Sequence, residues 1–181
     1  MGSIGTRPQI KIKPEEPTLW GDVNDIVKDL AKNGFIDGYV VNIEKLIKSR
    51  GVLIIYDDAL ESSKSGYLKR VNGTWVIGVN KKHNRKRQRF TLAHEFAHYI
   101  LHKNEDTVFE DEILFRDNNL TSIEYAANRF AAELLMPQEI FEKSIIKGET
   151  SLEDLSNKFD VSTLAVKNRV LTLGYNLKNA K

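Results

Sequence analysis

No cysteine occurs among the 181 residues. That excludes disulfides and every thiolate metal site, so a zinc ion held by this chain must sit on imidazole and carboxylate. Long apolar runs are missing too: nothing approaches the roughly 18–20 residues needed to cross a bilayer. The opening MGSIGTRPQIKIKPEEP lacks the apolar segment of a secretory signal. Neither charge sign dominates, since 27 Lys and Arg oppose 25 Asp and Glu for a net +2, and bulk charge therefore makes no case for nucleic acid. Proline is scarce, 4 in all, and no internal repeat or low-complexity segment is present. These absences lead us to expect a cytoplasmic protein with no membrane partner. The length suits one domain with appendages, and 41% hydrophobic residues are enough for a core.

Periodicity divides the chain. Residues 1–19, rich in Pro and charge, are expected to form an extended arm. DVNDIVKDLAK (22–32) and NIEKLIKSR (42–50) carry apolar residues at helical spacing, each stopped by a glycine. The apolar, β-branched VLIIYD (52–57) reads as a buried strand. In SGYLKRVNGTWVIGVN (65–80), Asn72-Gly73 between alternating segments marks a hairpin, because a type I′ turn needs φ > 0 at both central residues. Asn84 can cap a long helix reaching about His102. After an irregular acidic stretch (103–119), a further helix runs from about Ser122 to Met136-Pro137, followed by QEIFEKSII. From 150 on, two short helices flank a tight turn at 159–162. The expected fold class is α+β: a small antiparallel sheet on a helical core, with a C-terminal helix-turn-helix-like pair. The expected divisions are an arm at 1–19, a main domain at 20–148 and the helical pair with its tail at 149–181.

The chemistry concentrates in His94-Glu95-Phe96-Ala97-His98. On a helix, residues four apart differ by about 40° and one turn, so both imidazoles face one side and can share an ion at about 2.0–2.1 Å. Glu95, about 100° round from His94, lies beside that ion and can accept a proton from the attacking water. The motif lies in an amphipathic helix whose apolar side is Phe90, Ala93, Phe96, Ala97, Ile100 and Leu101. Histidines and a glutamate beside a core face pack poorly unless something binds them.

A catalytic zinc takes a third protein ligand and keeps one position open. No histidine fits: His102 extends the row by another turn, and His83 precedes the helix. Of the two carboxylates on the next helix, Glu124 projects near the apolar face of Ile123, Ala127, Phe130, Ala131 and Leu134. Glu133 points away from that face and is expected to behave as a surface residue. Helical phase thus favours Glu124, giving a His₂Glu site with one Zn²⁺ per chain.

RFTLAHEFAHYILH followed by EYAANRFAAELLMP resembles the ImmA/IrrE group of bacterial metallopeptidases, over roughly residues 40–140. The two motifs together are far more specific than either alone. The resemblance implies that Glu124, the first Glu of the second motif, is the third zinc ligand. Ala97 stands where the family has Gly or another small residue, a harmless departure. The resemblance further implies a substrate class, a folded DNA-binding regulator such as a helix-turn-helix repressor encoded nearby, cleaved to relieve repression.

Two features remain. The basic run KKHNRKRQR (81–89) could meet an acidic segment or nucleic acid, although a solvated face partly neutralised by 105–112 explains it more simply. LEDLSNKFDVSTLAVKNRVLTLGY places Lys167, Asn168 and Arg169 on the second helix of a helix-turn-helix, which suits packing or substrate docking better than DNA reading. The function expected from the sequence is a zinc endopeptidase acting on a regulator, with Glu95 as base. Tyr99, Tyr125, His102 and Arg116 are candidates for oxyanion or substrate contacts. The alternatives are a non-catalytic zinc-stabilised partner that titrates a regulator, and a DNA-binding regulator using residues 150–175.

Overall fold

The computed structural model describes residues 3–4, 27, 30, 32–102, 122–148 and 151–178. Apart from Ser3 and Ile4, the expected N-terminal arm lies outside them, as does the acidic stretch 103–119. The described residues form two compact units, one from Asn42–Ala131 and one from Met1–Val41 with Ala132–Lys181.

Strands β1 (Ser3–Ile4), β2 (Ile36–Asp37) and β3 (Val40–Val41) come first in the chain. The Asn42–Ala131 unit then begins with helix α1 (Ile43–Ser49), where the Asn42 side chain accepts the Lys45 N–H as an N-cap. Next come β4 (Leu53–Asp57), β5 (Gly66–Val71) and β6 (Thr74–Asn80), then α2 (Arg85–His102) and the start of α3 (Ser122–Leu135). The β5–β6 hairpin turns at Asn72 and Gly73, both with positive φ (49° and 82°), as the Asn-Gly pair requires. Asn84 caps α2 by accepting the Arg87 N–H at 3.0 Å. Part of the basic run is structural. Lys82 Nζ donates to the Leu60 carbonyl, His83 Nε2 lies 3.0 Å from the Ser62 carbonyl, and Arg87 donates to Ser65 Oγ. These contacts hold the β4–β5 loop, and the acidic 105–112 stretch expected to neutralise the run lies outside the described residues.

The fold class is α+β, with one difference in the sheet. Its order is β4-β6-β5, and β4 runs parallel to β6, so the sheet is mixed. The loop from β4 carries the chain past the central position to the far edge, which leaves β6 between two strands of opposite sense. One face packs on α2, with Leu68, Ile77 and Val79 fully or almost fully buried. VLIIYD is not the buried strand its composition suggests: Leu53 is 56% and Ile55 46% exposed. They register with Val76 and Gly78 on the face opposite α2, and β4 is an edge strand of the sheet. Where Gly78 sits, the Tyr67 ring of β5 lies across the strand, and a Cβ there would meet the ring at 2.1 Å.

In the other unit, β1 pairs with β7 (Leu177–Lys178) and β2 with β3. Val27, Leu30 and Lys32 are helical, in keeping with the helix expected over 22–32, whose other residues apart from these lie outside the described set. Helices α4 (Gln138–Ile146), α5 (Leu152–Phe159) and α6 (Thr163–Thr172) complete the unit. Ser151 caps α5 and Ser162 caps α6, with Asp160 left-handed in the turn between them. Phe141 and Phe159 are fully buried against each other.

Glu133 overturns the expectation that it is a surface residue. Its carboxylate pairs with the Arg169 guanidinium and also accepts the Gln138 N–H at 3.0 Å, capping α4, while Arg169 Nε donates to the Met136 carbonyl. Helical phase placed Glu133 away from one apolar face; it could not show that a second packing surface waits on that side. Glu133→Ala would remove the carboxylate paired with a buried cation, the Arg169 side chain being 3% exposed. The expected cost is about 3–5 kcal/mol in urea unfolding, and a loss below about 1 kcal/mol would mean the pair is effectively solvated.

Candidate metal centre

Helix α2 presents two stripes within the Asn42–Ala131 unit. Gln88, Thr91, Glu95 and Tyr99 follow one another at spacings of three and four toward the sheet. Gln88 donates to the carbonyls of Asn80 and Lys81, and Tyr99 packs edge-on against Trp75. His94 and His98 lie on the neighbouring stripe, toward α3. Glu124 enters from the first turn of α3, and Asn128 follows it one turn on, on the same side.

The three side chains expected as ligands come together. His94 Nε2 and His98 Nε2 are 3.1 Å apart, Glu124 Oε2 lies 3.3 Å from His94 Nε2, and Glu124 Oε1 lies 3.1 Å from His98 Nε2. Two donors at about 2.0–2.1 Å from one tetrahedral centre lie about 3.3–3.4 Å apart, so the two imidazole nitrogens have nearly the separation zinc requires, and each faces one oxygen of the Glu124 carboxylate. The donor set is also of the right kind, two imidazole nitrogens and one carboxylate. Side-chain exposures of 13%, 8% and 9% put the triangle in a mostly dry place with a remaining opening.

Asn128 completes the arrangement. His94 Nδ1 is 3.1 Å from Asn128 Oδ1, an acceptor, so Nδ1 can hold the ring proton there when Nε2 takes an ion. Asn128 is not among the residues expected at the site, although the sequence carries its signal: four residues after Glu124, it shares the face of α3 that carries the carboxylate. Asn128→Ala is expected to weaken zinc binding about 10–100-fold by freeing the His94 ring. Competition with a zinc chelator of known affinity would show this, and an unchanged constant would dismiss the role.

The hydrogen bonds with His94 and then His98 hold the Glu124 carboxyl well below the usual carboxylate range, outweighing the burial that acts against them. Glu95 is 4% exposed, on the sheet-facing stripe. The strand beside it approaches closely: a Cβ on Gly66 would lie 3.4 Å from Glu95 Oε1. The other candidates divide. Tyr99 stacks on Phe96 at 5.8 Å as well as meeting Trp75, and Tyr125 is 61% exposed. The side chain of His102 and all of Arg116 lie outside the described residues. His83, spent on the Ser62 carbonyl, is held in the loop.

Residues 47–171 match the Peptidase_M78 family, the IrrE N-terminal-like domain. The chain belongs to this family. It is 36% identical over 91 residues to the radiation response metalloprotease IrrE of Deinococcus deserti, covering 48% of this chain and 32% of that protein. It is 23% identical over 137 residues to the metallopeptidase ImmA of Bacillus subtilis, covering 74% of this chain and 77% of ImmA. The chain thus spans about a third of the length of the IrrE relative. Its fold is shared with a solved Mycobacterium tuberculosis transcriptional regulator, with a TM-score of 0.60 at 20% identity over 82% of this chain and 45% of that one. No described helix of this family member is long and apolar enough to cross a membrane.

Proposed function

We propose that the chain is a cytoplasmic zinc endopeptidase that cleaves a protein regulator, a helix-turn-helix repressor encoded near it. The observation that carries this reading is the meeting of His94 Nε2 and His98 Nε2, 3.1 Å apart, with Glu124 oxygens 3.3 and 3.1 Å from them, and a buried Glu95 next to His94 on the same helix. His94, His98 and Glu124 hold one zinc per chain. An ion held there would serve as a Lewis acid, able to polarise a scissile carbonyl and acidify water. Glu95 takes the proton of the attacking water and delivers it to the leaving amine. Asn128 keeps the His94 ring in the tautomer and orientation that the ion requires. Burial of the triangle excludes bulk water, which strengthens each of these electrostatic contacts.

A protein as substrate is supported by the relatives named metalloprotease and metallopeptidase. Incubating the zinc-loaded chain with the repressor encoded beside its gene tests the proposal. Two fragments should appear, vanish with 1,10-phenanthroline and return with added zinc. An intact repressor bound stoichiometrically to the chain would instead establish a titrating partner.

A further inference from the structure

Gly66 opens β5 at the point where the strand passes over α2. Strand alternation turns its α-carbon toward the helix, as the register with Val79 and the burial of Leu68 two residues on both require. A Cβ at this position would lie 2.5 Å from Thr91 Cγ2, 2.6 Å from the Gly78 carbonyl oxygen and 3.4 Å from Glu95 Oε1. Carbon atoms in ordinary contact sit about 3.5–4.0 Å apart, so a methyl group here displaces strand or helix by about 1 Å. Thr91 has little freedom to yield, because its hydroxyl is bonded to the Arg87 carbonyl at 3.1 Å and the residue is 5% exposed. Glu95 follows Thr91 by one turn on the same stripe. Any retreat of the strand therefore draws the β5 backbone away from the Glu95 carboxylate on that stripe.

We propose that Gly66 is a positioning residue for Glu95: the bare backbone of β5 forms one wall of the carboxylate's slot, and a side chain there would move the base off its mark. The proposal rests on the peptidase reading, in which Glu95 handles the proton. It assigns to a strand glycine, in neither metal-site motif, a part in catalysis through another residue. Displacements of about 1 Å at a catalytic group cost on the order of 10²-fold, which sets the scale of the effect.

The test uses the full zinc-loaded chain and acetohydroxamate, supplied as acetohydroxamic acid, a small chelator that gives up its N–OH proton on binding a metal, a proton that a carboxylate beside the ion can take. Gly66→Ala is expected to keep about one zinc per chain and to bind acetohydroxamate about tenfold more weakly, in the same direction as Glu95→Gln. Adding Thr91→Ser, which removes the abutting methyl but keeps the hydroxyl, should recover part of that loss. Where cleavage can be followed, kcat should fall in Gly66→Ala with KM unchanged. Acetohydroxamate affinity equal to wild type, or loss of zinc from a folded Gly66→Ala, overturns the proposal. Should Gly66→Ala not fold, Thr91→Ser alone is read: a loss of about twofold or more supports the slot, and unchanged affinity overturns it. If Glu95→Gln itself leaves acetohydroxamate binding intact, the peptidase reading fails. If only Gly66→Ala and Thr91→Ser leave it intact, that reading stands and the slot does not.

Discussion

Glu95→Gln is expected to abolish measurable cleavage while leaving zinc and fold in place. The substitution conserves shape in a position 4% exposed and removes only the group that can accept a proton. Because Glu95 lies on the sheet-facing stripe of α2 and outside the ligand triangle, zinc content should stay near one per chain. The rate should fall by at least about 10²–10⁴-fold, the usual contribution of a positioned acid–base group. A repressor-relief assay in cells, read together with repressor fragments on a blot, separates the readings. Relief and fragments vanishing together establish catalysis. Undiminished relief by the Gln variant, with fragments from neither protein, makes the chain a zinc-stabilised binding partner.

The second large effect concerns the triangle itself. His94→Ala, His98→Ala and Glu124→Ala each leave two donors, too few to keep an ion through gel filtration, so elemental analysis should find little zinc in any of them. A stability measurement gives an independent check. A ligand at about 100 times its dissociation constant stabilises the folded state by about 2.7 kcal/mol. For a chain of this size that corresponds to roughly 5–10 °C in melting temperature. Added zinc should therefore raise the melting point of the wild-type chain and leave those of the three variants unmoved. Full zinc occupancy in Glu124→Ala would move the third ligand elsewhere. The contrast with Glu133→Ala is sharp: that variant should keep its zinc and lose stability, because its partner is a guanidinium.

The local elements were readable because their causes are local. Asn72-Gly73 has positive φ at both residues, as its turn type demands, and Asn84 caps α2 through the Arg87 N–H. Pro137 separates α3 from α4 because it has no N–H and cannot stand inside a helix. The spacing of His94 and His98 put them on one side of one helix, and helical phase set Glu124 apart from Glu133. These inferences need only 3.6 residues per turn and the hydrogen-bonding habits of single residues.

What the sequence by itself determined, then, is the class of elements, the pairing of the two histidines and the exclusion of thiolate chemistry. The tertiary structure alone decided the rest, because each remaining question concerns residues distant in sequence whose contacts no local rule specifies. VLIIYD has the composition of a fully buried strand, yet β4 is an edge strand with Leu53 and Ile55 exposed, since strand order depends on how a loop is routed. Glu133 has the phase of a surface residue and is an ion-pair partner of Arg169, thirty-six residues away. Asn128 acquires its part only when α3 lies against α2 closely enough for Oδ1 to reach His94 Nδ1. Gly66 is an unremarked residue at the start of a strand until Thr91 and Glu95 are found where its side chain would be. Phase along a helix tells which way a side chain points, and only packing tells what is there to meet it.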